Sequence, residues 1–170
     1  MSSAIQALNL LSVEDAHAAF TRCCGASQWA SLMVKRRPYA DVQELFTAAD
    51  TAWSEMSEPD FLEAFTHHPK IGANLDLLRE KFTATKSWSS NEQGAVATAS
   101  EETLLSLRDG NVDYEKRYGF IFIVCATGKS ATEMLEILRS RMNHSYDEEL
   151  QIAANEQAKI TRLRLEKLEL

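Results

Sequence analysis

The chain has 170 residues, 45% of them hydrophobic and 25% charged, with a formal net charge of −7. That length suits one domain with a sizeable core. The acidic balance argues against a nucleic-acid partner, which needs a basic surface, but leaves room for a local cationic pocket that takes an anion.

Helical signals run from end to end. Ser12 with Asp15 reads as a capping box, and Ala16, Ala19, Phe20 and Cys23 follow at helical spacing, up to Gly25. A short helix over Trp29–Arg37 closes at Pro38, and Asp41 opens another with the stripe Val42, Leu45, Phe46, Ala49, Trp53. Ser57 and Asp60 bracket Pro59, which a first turn tolerates. Phe61, Leu62 and Phe65 then lead to a break at His67-His68-Pro69. Leu75, Leu78 and Phe82 suit one further helix. A long one is expected from Ser89 to Asp109, stopped by Asp109-Gly110, with Asn111 capping a short helix that ends at Gly119. Ser130 with Glu133 and Ser145 with Glu148 are capping boxes that open the last two helices.

The run Phe120–Ala126 (FIFIVCA) has the composition of a buried strand. A lone strand cannot satisfy its backbone, so an extended segment or a helix entry within a helical protein is expected. The architecture expected is all-α, a single-domain bundle of roughly seven to nine helices over residues 1–170.

Three cysteines, two of them adjacent, and no CxxC pair suit a reducing compartment. The start lacks the basic and apolar regions of a secretory signal. The terminal Lys167-Leu168-Glu169-Leu170 matches no peroxisomal or ER-retention signal. No stretch approaches the roughly 20 apolar residues of a membrane span. A cytoplasmic protein with no membrane contact is expected.

Proline biases the preceding residue away from αR, so His68 sits where a helix breaks, its ring open to a cleft. There it serves either as an ordinary polar residue at the negative end of a helix or as a proton donor and acceptor near neutrality. Ser89 with Glu92 reads as a capping box, yet helix-start amides also bind anions. On the last helix Leu150, Ala153, Gln157, Ile160, Arg164 and Leu168 share one face, while Arg162 points away. An arginine in such a stripe needs an anion, either a core carboxylate or a substrate. Gly128-Lys129-Ser130 is no phosphate loop, because Ile123 stands where the loop requires glycine. No spacing among the histidines supports a metal site.

Taken together, His68-Pro69-Lys70-Ile71-Gly72, Ser89-x-x-Glu92-Gln93, Tyr118 through Ala126 and Ile160-x-x-Leu163-Arg164-Leu165 resemble the OHCU decarboxylases in order and spacing. Those enzymes act on 2-oxo-4-hydroxy-4-carboxy-5-ureidoimidazoline (OHCU) late in urate breakdown, a part of purine metabolism. The resemblance covers nearly the whole chain. It implies an all-helical carboxy-lyase, usually a homodimer, that forms (S)-allantoin and CO2 with no metal and no organic cofactor. It makes His68 the catalytic histidine and Glu92 its carboxylate partner. It makes Pro69, Ser89, Gln93 and Arg164 substrate-binding positions. It also assigns Ile121, Phe122, Ile123, Val124 and Cys125 to a segment whose backbone contacts the substrate. Lys70 departs from the acidic residue or arginine of many relatives. A helical binding module and a metal-dependent hydrolase are the alternative readings.

Overall fold

The computed structural model describes residues 2–70, 75–84 and 100–168. Among the described residues there are nine helices and no strand. They are α1 (Ser2–Leu10), α2 (Val13–Cys23), α3 (Ser27–Lys35), α4 (Val42–Ser54), α5 (Glu58–Thr66), α6 (Leu75–Ala84), α7 (Glu101–Tyr118), α8 (Ala131–Arg141) and α9 (Tyr146–Glu166). The all-α expectation holds, with α1 added ahead of the first expected helix. Polar side chains set most starts: Ser12 accepts from the Asp15 amide, Asp41 from Glu44, Ser100 from Thr103 and Ser130 from Glu133. Each satisfies an amide that has no partner within its helix. Reciprocal boxes are present at Ser57/Asp60 and Ser130/Glu133, and at Ser145 the Glu148 carboxylate accepts the backbone amide at 2.9 Å. No described helix is long and apolar enough to cross a membrane.

The chain divides into two compact units, Met1–His68 with Leu150–Leu170, and Pro69–Glu149. The core of the first holds Phe20, Trp29, Met33, Tyr39, Leu45, Phe46 and Leu165. Trp29 is fully buried, meets Phe20 edge-on at 6.0 Å, and donates its indole N–H to Ala49 O at 3.1 Å. Trp53 does the same toward Ala154 O, tying α4 to α9 across 101 positions of sequence. Removing such a ring from a core costs about 3–5 kcal/mol. On α9 the buried row is Leu150, Ala153, Ala154, Gln157, Thr161 and Leu165, whereas Ile160 and Arg164 are half-buried. Arg162 does not turn away from the protein; its guanidinium lies 4.3 Å from the Phe46 ring centre.

In the second unit the expected stop at Asp109-Gly110 is overturned. The helix carrying Thr103 and Leu107 begins at Glu101, capped by Ser100, and runs through Gly110 to Tyr118, while the expected start at Ser89 lies outside the described residues. Gly110 serves packing: a Cβ there would meet Leu138 Cδ2 of α8 at 2.5 Å. Asn111 opens no second helix, because its amide donates to Leu107 O one turn back at 2.8 Å. The true stop is Gly119, in the left-handed conformation at φ 76°. Residues 121–126 carry no helix and no strand pairing. Side chains take their carbonyls instead: Arg141 Nη1 donates to Ile123 O at 2.6 Å and Lys129 Nζ to Cys125 O at 2.7 Å. Arg141 in turn pairs with Glu149, whose side chain is fully buried and also accepts from the Tyr114 hydroxyl and contacts His144 Nδ1 at 2.9 Å.

Candidate active site

Helix α5 delivers the histidine. Its box at Ser57 and Asp60 fixes the start, and Ala64 and Phe65 bury the inner face. At the far end the amides of His67 and His68 bond Ala64 O and Phe65 O, both at 3.2 Å. Pro69 follows, exposed to solvent. This closing turn leaves His67 exposed and His68 half-buried. His67 is held by packing, since its ring occupies the space a Cβ at Gly25 would need. Gly25, which follows α2, is therefore required for close approach rather than for a turn.

Both ring nitrogens of His68 have partners on α9. Nε2 lies 2.6 Å from Gln157 Oε1, and Nδ1 lies 3.4 Å from Arg164 Nη2. A guanidinium only donates, so Nδ1 presents its lone pair and Nε2 carries the proton. Gln157 must then offer its oxygen, and its amide nitrogen correspondingly donates to Thr161 Oγ1 at 3.1 Å. Arg164 also reaches Cys23 O through Nη1 at 3.3 Å. Among the described residues no carboxylate pairs with Arg164; Glu92 lies outside them.

The electrostatics favour neutral imidazole. Burial lowers the His68 pKa below its ordinary 6.5, the Gln157 hydrogen bond opposes this, and the positive charges of Arg164 and His67 add to the lowering. Burial also pushes the neighbouring Cys23 and Cys24 thiols up to about 11, so neither supplies a compensating thiolate. The result is a neutral imidazole whose Nδ1 lone pair faces a guanidinium that meets no carboxylate among the described residues. That pairing can bind an anion and take a proton from it.

Of the residues singled out in the sequence, His68 and Arg164 are brought together. Ser89, Glu92 and Gln93 lie outside the described residues. Ile121 and Cys125 are half-buried, and Phe122, Ile123 and Val124 buried, within the second unit. Gln157 was visible only as a polar member of the α9 stripe. Its spacing of seven residues from Arg164, two helical turns, was the available signal that both face one target.

The sequence profile described as OHCU decarboxylase matches residues 9–166. The uric acid degradation bifunctional protein TTL of Arabidopsis thaliana is 40% identical over 152 residues, covering 86% of this chain but 45% of that protein. The chain thus spans less than half of that relative. The 2-oxo-4-hydroxy-4-carboxy-5-ureidoimidazoline decarboxylase of Haloferax volcanii is 25% identical, covering 95% of this chain and 93% of its own. A crystal structure of OHCU decarboxylase in the presence of (S)-allantoin superposes with a TM-score of 0.68 at 36% identity, covering 88% of this chain and 95% of that one. At 17% identity, a crystal structure of (S)-allantoin synthase shares the fold, with a TM-score of 0.71. A match over almost the full length, on a fold that brings His68 beside Arg164, places this chain in the OHCU decarboxylase family.

Proposed function

We propose that this chain carries out its family's reaction, decarboxylating OHCU to (S)-allantoin and CO2 in urate degradation as a carboxy-lyase, without a cofactor. The observation that carries this is the His68–Arg164 pair, a lone pair and a cation 3.4 Å apart with no carboxylate on the cation among the described residues. The substrate holds its own electron sink. As the bond to the carboxylate breaks, its electron pair forms a carbon–carbon double bond, the π pair of the neighbouring carbon–nitrogen double bond moves onto nitrogen, and CO2 leaves. The ring hydroxyl then gives up its proton to become a carbonyl while protonation of the adjacent ring carbon makes the stereocentre. The enzyme must place the heterocycle, exclude water and control that proton.

In this reading substrate oxygens replace the ring at the Arg164 guanidinium, and the substrate hydroxyl donates to His68 Nδ1. Glu92 works with His68. Pro69, Ser89 and Gln93 line the site, and the backbone of Ile121, Phe122, Ile123, Val124 and Cys125 contacts the ureido or ring atoms. The span 1–170 acts as one decarboxylase domain, supported by a family match that crosses both compact units. The protein works as a homodimer in the cytoplasm, on a small-molecule ureidoimidazoline.

The test is OHCU generated from urate by urate oxidase and hydroxyisourate hydrolase, followed by its ultraviolet absorbance and by CO2 release. Added chain should accelerate both together. An unchanged decay rate would refute the activity, and a monomer by analytical ultracentrifugation would refute the dimer.

A further inference from the structure

Gln157 is fully buried, and no solvent competes for its amide. Its nitrogen is held by Thr161, itself 4% exposed, whose hydroxyl also bonds the Cys24 thiol. The carbonyl oxygen therefore has one direction left to face, toward His68 Nε2 at 2.6 Å. Two turns along the same helix, Arg164 meets the other ring nitrogen. Two donor–acceptor constraints of opposite sense thus grip one imidazole from a single helix face. Turning the ring over would set an N–H against the guanidinium and a lone pair against a carbonyl oxygen, and both contacts would be lost.

We infer that Gln157 is a positioning residue: it holds the His68 ring in one orientation and tautomer, with Nε2–H buried and Nδ1 the only nitrogen that exchanges its partner for substrate. This rests on the catalytic reading of His68, but its first readout does not depend on activity. Gln157 touches no substrate in this scheme and acts through His68 alone. Among the described residues, the groups that set the charge around the ring are Arg164 on α9, His67 at the end of α5 and the neutral Cys23 and Cys24 at the end of α2; the proposed partner Glu92 lies outside them.

The experiment is proton and nitrogen-15 NMR of the histidine side chains in the intact protein, with His68→Asn to assign the signal. Wild type should show one solvent-protected imidazole N–H, on Nε2 of His68. Gln157→Met, which keeps shape and removes the acceptor, should lose that protection and reduce kcat about tenfold, the factor expected for one buried hydrogen bond. KM should stay within about twofold, because substrate contacts are untouched. Gln157→Glu, which keeps an acceptor and adds charge, should retain the signal and move the acid limb of kcat to higher pH. A wild-type signal on Nδ1, or Gln157→Met with both signal and kcat intact, overturns the proposal. If Gln157→Met fails to fold, an unmoved acid limb in Gln157→Glu overturns it instead. His68→Asn with wild-type activity would sink the catalytic reading alone, leaving the NMR result to stand.

Discussion

His68 Nδ1 faces Arg164 Nη2 at 3.4 Å, and because arginine has no acceptor this contact directs the Nδ1 lone pair at the guanidinium, on a ring whose pKa is lowered first by burial and then by that charge. In the proposed function the arginine does two things, presenting a charge to an anionic substrate and adding to the burial that lowers the pKa of the adjacent ring. Arg164→Met separates them. KM should rise at least about tenfold, as loss of one charge-assisted contact of about 1.5–3 kcal/mol implies. The His68 pKa should rise as well, since a positive neighbour is gone. An NMR titration of the ring checks the second effect, and a pKa that falls or stays put would contradict it.

The direction of that shift has a consequence for folding. The His68 pKa is lower in the folded protein than its ordinary 6.5, so between the two values the unfolded chain binds more protons. Its contribution to stability is complete above pH 6.5 and is lost as pH falls through the folded value. Unfolding free energies of wild type and His68→Gln, measured in urea from pH 7.5 down to 5, isolate it. The wild-type advantage should shrink on acidification; an advantage that grows would reverse the sign.

Gly25 is the spacer that lets His67 close over the end of α2. In Gly25→Ala the new methyl would collide with both the ring and the Cβ of His67, and a Cβ cannot swing aside as a side-chain tip can. Overpacking of this kind costs about 1–3 kcal/mol. The displacement should pass through the shared backbone to His68, so kcat should fall together with the melting temperature. Gly25→Ala with both unchanged would show that the close approach is dispensable.

Arg141 and Glu149 form a buried pair in the second unit, with side-chain exposures of 5% and 0%. Arg141→Met strands the carboxylate, and loss of one partner from a buried pair costs about 3–5 kcal/mol. It also releases Ile123 O, the carbonyl that Arg141 holds within the apolar run. A urea midpoint that barely moves would contradict this account of how 121–126 is held.

Much of this was legible in the residues because local chemistry dictated it. Ser57, Pro59 and Asp60 begin a helix, His68-Pro69 ends one, and Ser130 and Ser145 cap the last two as their spacing requires. That FIFIVCA would be no sheet strand was readable for want of a partner, but not its stabilisation. The carbonyl of Ile123 is satisfied by an arginine 18 residues later, a tertiary contact that no local pattern encodes. Gly110 misled for the same reason, its lack of a side chain serving the approach of Leu138 rather than a helix stop. At the site, periodicity put Gln157 and Arg164 on one face, yet only the folded position of α5 shows that face closing on both nitrogens of one ring.

The most direct test of the central claim is circular dichroism of product formed from enzymatically generated OHCU, comparing no addition, wild type and His68→Asn. Wild type should give rapid growth of a one-signed allantoin signal. His68→Asn should be folded by its helical spectrum yet slower by about a hundred- to ten-thousand-fold, the range for loss of general acid–base catalysis. Optically silent product at the same rate in all three samples would contradict the activity. A one-signed signal at wild-type rate from His68→Asn would contradict the role of the histidine.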